Sequence, residues 1–182
     1  MDRTTSLLLV SLVLTAPTVA EPLAAQVAQP AQAPRSPACS GPEHRQFDFW
    51  IGDWDVTLPN GRAAGTNRIR QIHRGCALRE EWRGASGSTG TSLNTYDSST
   101  RRWHQTWVDD GGMLLQLDGG MRDGSMELSG STVGANGIRT VHRIRWTPLA
   151  GTPGRLRQLW ESSTDGGRSW TIVFDGIYRR RG

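Results

Sequence analysis

From Trp54 onward, polar and apolar residues alternate in short runs. In "RRWHQTWVDD" (Arg101 to Asp110), Trp103, Gln105 and Trp107 fall on one side of an extended chain, with His104, Thr106 and Val108 on the other. Runs of this kind begin at Trp54, Thr66, Cys76, Thr91, Trp103, Met113, Ser125, Thr140, Arg155 and Trp170. Between them lie Gly, Asp, Asn and Ser clusters of hairpin length, such as "PNGRAAG", "DDGG" and "STDGGRS". No stretch after residue 50 keeps a helical period. The pattern predicts an all-β domain, an antiparallel up-and-down meander of about ten strands that closes into a barrel to remove its edges.

Strand parity predicts what the barrel encloses. Leu78-x-Glu80-x-Trp82, Ser92-x-Asn94-x-Tyr96, Gln158-x-Trp160-x-Ser162 and His142-x-Ile144-x-Trp146 place polar groups beside aromatics on one side, as Trp103-x-Gln105-x-Trp107 does. The opposite sides carry Arg79, Glu81 and Arg83, or Arg155, Arg157 and Glu161, and suit solvent. The aromatic sides therefore face inward and take amides and a carboxylate with them. Such groups either satisfy one another in a network or line a cavity where they orient a ligand against aromatic walls. The ligand-lining set expected from parity is Glu80, Trp82, Asn94, Tyr96, Trp103, Gln105, Trp107, Trp146, Gln158 and Trp160.

Three functions fit this interior. The leading one is binding of a small, partly polar, partly aromatic or apolar molecule, since barrels of this size hold one. The alternative is an isomerase- or hydrolase-like enzyme with Glu80 as acid and base, its pKa raised by burial, and His142 as partner. The third is a structural or interaction barrel without a ligand. There is no Ser-His-Asp set and no zinc-like spacing. His44, His73, His104 and His142 are scattered, so neither a metal nor a cofactor is expected.

The N-terminus changes the setting. "MDRTTSLLLVSLVLTAPTVA" has the basic start, short apolar run and small-residue end of a signal peptide over residues 1–20. Residues 21–42 are rich in Ala, Pro and Gln and read as a disordered linker, followed by a single barrel domain over 43–182. The expected location is periplasmic or secreted, with no stable membrane anchor, because the apolar run is short and broken by Pro17. In that compartment Cys39 and Cys76 can pair, and two free thiols are the other option. The formal charge is +4 and every basic residue is Arg. The arginines are spread along strands, so no nucleic-acid partner is expected.

Two motifs stand out. "STDGGRSW" (Ser163 to Trp170) has the S-x-D-x-G-x-x-W form of the Asp-box hairpin, in which Asp165 bonds its own turn. A single copy in a domain this short reads as a structural turn. "FDFWIGDWDV" places Gly52-Asp53-Trp54 before the first strand, and the chain ends "FDGIYRRRG". This resembles the G-x-W of lipocalins and other calycin barrels, and the region is similar to bacterial domain-of-unknown-function families with lipocalin-like barrels. The resemblance implies a lipocalin- or fatty-acid-binding-protein-like fold. It also implies that Arg179 or Arg180 covers Trp54 at the barrel's base through a cation–π contact.

Overall fold

The computed structural model describes residues 38–182. The expected signal peptide and residues 21–37 of the expected linker lie outside the described residues. The strands are β1 (Gly52–Thr57), β2 (Ala63–Ile72), β3 (Ala77–Gly84), β4 (Thr89–Asp97), β5 (Arg102–Asp109), β6 (Leu114–Arg122), β7 (Ser125–Val133), β8 (Arg139–Pro148), β9 (Arg155–Ser163) and β10 (Thr171–Arg180). Each pairs antiparallel with its sequence neighbour, and β1 pairs with β10 to close the barrel. The connections are short because the turn residues allow it. Between β6 and β7 only Asp123 and Gly124 intervene, with φ of 48° and 75°, the two positive values that a two-residue hairpin of this twist requires.

The outer face follows the parity argument. Arg143 bonds Glu161 at 2.8 Å and Arg157 bonds Asp175 at 2.7 Å, both across strands, and Arg145 reaches Glu127. These three arginines therefore sit in ion pairs along the outer wall. The Asp-box closes β9 onto β10 as a turn. Asp165 Oδ1 accepts the amides of Arg168 and Ser169, each at 2.9 Å. Trp170 then lies outside the barrel beneath Arg143, whose guanidinium stands 4.2 Å from the ring centre.

One end of the barrel is a packed base. Two short 3₁₀ turns, Pro42–Arg45 and Asp48–Trp50, precede β1. They carry Phe47 and Trp50 into the lumen, stacked with centroids 4.8 Å apart, and Phe47 meets Trp103 and Trp146 edge-on. Trp54 donates from Nε1 to the carbonyl of Trp50 at 2.8 Å. Of the two arginines expected to cover Trp54, it is Arg180 that does so, at 4.5 Å from its ring centre, while Arg179 pairs outside with Asp55. Arg180 also donates to the carbonyls of Ile51 and Phe49, tying the last strand to the 3₁₀ turns. This explains the glycine of the G-x-W. Gly52 has φ of 146°, and a Cβ there would meet the Arg180 guanidinium.

Cys39 is disulfide-bonded to Cys76, just before β3. The last residues of the stretch read as linker, 38–42, are thus attached to the barrel by this bridge and by the first 3₁₀ turn.

Candidate functional site

The middle of the barrel is polar. Glu80 is 4% exposed and its two oxygens are both held: Asn67 Nδ2 donates to Oε1 at 2.7 Å and Ser92 Oγ to Oε2 at 2.6 Å. These positions follow from register, since Ser92 stands directly across from Glu80 on β4. The bonds continue sideways. Asn94 Nδ2 donates to Ser92 Oγ at 2.8 Å, and Gln105 Nε2 donates to Asn94 Oδ1, also at 2.8 Å. On the other flank, Asn67 Nδ2 reaches Tyr178 Oη at 3.1 Å, and the Tyr178 hydroxyl donates to Gln158 Oε1. A single relay thus runs from Gln158 through Glu80 to Gln105.

Above this layer, at the end opposite the base, the barrel is not filled. A cavity of about 190 Å³ opens between the relay and the mouth. Glu80, Gln105, Gln158 and Tyr178 contribute its polar floor, and Trp82, Trp107, Trp160 and Phe174 form its aromatic walls, with Leu115, Ile144 and Val173 between them. A glycine on the adjacent strand, Gly90 beside Trp107, and one on the ring's own strand, Gly176 beside Phe174, leave room for the rings against the wall. A Cβ at Gly90 would meet the Trp107 ring at 2.2 Å, and one at Gly176 the Phe174 ring at 2.6 Å. The rings therefore border the lumen without plugging it.

The buried carboxyl is electrostatically out of balance. Burial raises the Glu80 pKa from 4.5 to about 7, and the bonds from Ser92 and Asn67 offset this only in part. No cation faces it in the cavity lining. Burial also pushes the Tyr178 hydroxyl up, with the Glu80 charge adding to the effect. Asn67 Oδ1 has no hydrogen-bond partner among the described residues.

Six of the ten residues expected to line a ligand site do line the cavity: Glu80, Trp82, Gln105, Trp107, Gln158 and Trp160. The other four do not line it. Asn94 is fully buried one step beneath the floor, as a link in the relay. Tyr96, Trp103 and Trp146 face inward but belong to the base, where Phe47 and Trp50 occupy the lumen. Trp103 donates from Nε1 to the Glu43 carbonyl and to Gln46, so it secures the N-terminal turns. His142 is not the partner of Glu80. Its Nδ1 accepts from Trp160 Nε1 at 3.2 Å and its Nε2 meets Thr132 at 3.0 Å. Parity marks Asn67 and Tyr178 as inward as well, between Arg68 and Thr66 and beside Arg179, but no neighbouring aromatic-polar pair draws attention to them.

Among the described residues no group of three or more His, Cys, Asp or Glu side chains could hold a metal ion. No protein-family model matches the chain, and none of the curated proteins matches its sequence.

Proposed function

We propose that the protein is an exported binding barrel that holds one small, partly polar and partly aromatic or apolar molecule in the cavity above Glu80. The observation that carries this reading is the convergence of Glu80, Gln105, Gln158 and Tyr178 on unfilled space walled by aromatic rings. A core built only for stability closes such space, because interiors pack to crystal density and voids are costly. The position of Gly52, Trp54 and Arg180 supports a lipocalin-like relationship. The disulfide supports an oxidising compartment. No helix among the described residues is long and apolar enough to cross a membrane.

The test is to fill the cavity. Ile144 lines it and is 4% exposed, so Ile144→Trp directs the added ring into the empty lumen. Ligand-observed NMR with a set of one-ring fragments should show binding to the wild type and none to this variant, with the variant's melting temperature kept. Equal binding to both proteins, or to neither, contradicts the reading.

A second reading is favoured by one observation, the Glu80 pKa near neutrality, which suits an acid–base residue of an isomerase- or hydrolase-like enzyme. Against it, His142 is committed to Trp160 and Thr132 and supplies no second group. Turnover of a bound molecule, lost in Glu80→Gln while binding persists, would establish it.

A further inference from the structure

We propose that the cavity selects a small organic cation bearing N–H groups, a protonated amine or amidinium on an aromatic or apolar frame, with Glu80 as its counter-charge and Trp82, Trp107 and Trp160 as its walls. This rests on the cavity being a binding site and names the chemical class it takes.

The charges around the cavity point to a cation. The chain has 21 basic residues, all Arg, and none of those among the described residues lines the cavity. The titratable groups there are Glu80 and Tyr178. An anionic ligand would enter a low-dielectric lumen beside a carboxyl with nothing to neutralise it. A cation brings the missing partner.

The directions of the hydrogen bonds agree with this. The amide nitrogens of Asn67, Asn94 and Gln105 and the hydroxyls of Ser92 and Tyr178 all donate to protein acceptors within the relay. Trp107 and Trp160 likewise spend their N–H groups on Asp109 and His142. What remains towards the cavity is mainly acceptor: the unused lone pairs of the Glu80 carboxylate, and Gln105 Oε1, which has no partner among the described residues. Gln158 Nε2 is left as a donor on the floor, and the Trp82 indole N–H, beside Gly84 at the end of β3, has no acceptor among the described residues. A ligand rich in N–H donors matches this set.

The walls suit a cation as well. Indole faces carry negative potential and attract cations, more strongly where water is excluded. Three of the eight tryptophans of the chain border this one cavity. The walls and the floor therefore favour the same sign of charge.

The proposal has a pH signature. Of the groups packed around Glu80, Asn67 from β2 and Ser92 from β4 do not titrate, and Tyr178 from β10 has its hydroxyl pushed upward and stays neutral. Burial lowers the pKa of His142 from β8, and its ring is bonded elsewhere, to Trp160 and Thr132. Glu80 is thus the group that titrates near neutrality, and a cation binds its ionised form. With a carboxyl that titrates at about 7, affinity should fall about tenfold between pH 8 and pH 6.

The experiment compares 2-phenylethylamine, 2-phenylethanol and phenylacetate, which are of similar size and differ in charge. Tryptophan emission reports binding in wild-type and Glu80→Gln protein at pH 8 and pH 6. The expected result is an amine bound at least tenfold more tightly than the alcohol at pH 8, with the anion weakest. Glu80→Gln should abolish that preference while still binding the alcohol, and the amine's affinity should drop at pH 6. If the alcohol binds as tightly as the amine, or the preference survives Glu80→Gln, the cation assignment is overturned and the binding reading stands. If none of the three saturates, both are overturned.

Discussion

Gln105 shows how one side chain serves two purposes. Its amide nitrogen donates to Asn94 Oδ1 at 2.8 Å and approaches Ser92, while its carbonyl is left for the cavity. Gln105→Leu removes the donor and strands Asn94, itself fully buried. The variant should therefore lose about 1–3 kcal/mol of stability in a denaturant titration, the cost of an unpaired buried group. Unchanged stability would mean that the bond to Asn94 is dispensable. Parity along the strand made the inward direction of Gln105 and Glu80 legible, because Arg79 and Glu81 cannot be buried cheaply beside them. Which inward residues meet was not legible. Asn67 and Tyr178 stand 111 residues apart in the chain and are joined only by the closure of the barrel.

At the scale of elements, all ten strands were readable, since period-two alternation and Gly-Asp-Asn turns are local signals. The 3₁₀ turns that fill the base were not. Phe47 and Trp50 are fully buried, yet "FDFW" has no period of its own, and its burial depends on where the finished barrel leaves space. This is why Trp103 and Trp146, inward by parity, belong to the base and not to the cavity. The first strand and the last meet through Trp54, which is 1% exposed and lies under Arg180. Trp54→Ala should cost about 3–5 kcal/mol as a large-to-small core change, read from the midpoint of chemical unfolding. A loss below 1 kcal/mol would show that the base tolerates collapse and that the Arg180 contact closes nothing.

Taken as a whole, the molecule has two unlike ends. The base is packed by aromatics and sealed by Arg180. The mouth keeps a cavity, and the exposed apolar residues Val108, Leu114, Val133, Ile138, Ile172 and Val173 cluster towards that end of the strands and their loops. Between the ends sits Glu80, a carboxyl kept either for the fold or for what it binds. Burial raises its pKa from 4.5 to about 7, so the folded state holds a proton that the unfolded chain has released between those values. Its contribution is thus fully present below pH 4.5, is lost as pH rises towards 7, and stays lost above. Glu80→Gln mimics the protonated carboxyl, and the unpartnered Asn67 Oδ1 can accept from the new amide if Asn67 turns over. Asp53, Asp97 and Asp165, whose pKa values are lowered by their hydrogen bonds, titrate alike in both proteins and cancel in the comparison. The decisive measurement is the unfolding free energy of wild type and Glu80→Gln at pH 4.5 and pH 8, without ligand. A carboxyl retained for binding predicts near-equal stabilities at pH 4.5. At pH 8 the variant should be more stable, by about 3 kcal/mol for a pKa moved from 4.5 to about 7. A variant less stable than wild type at pH 8 would contradict this and make Glu80 a structural residue.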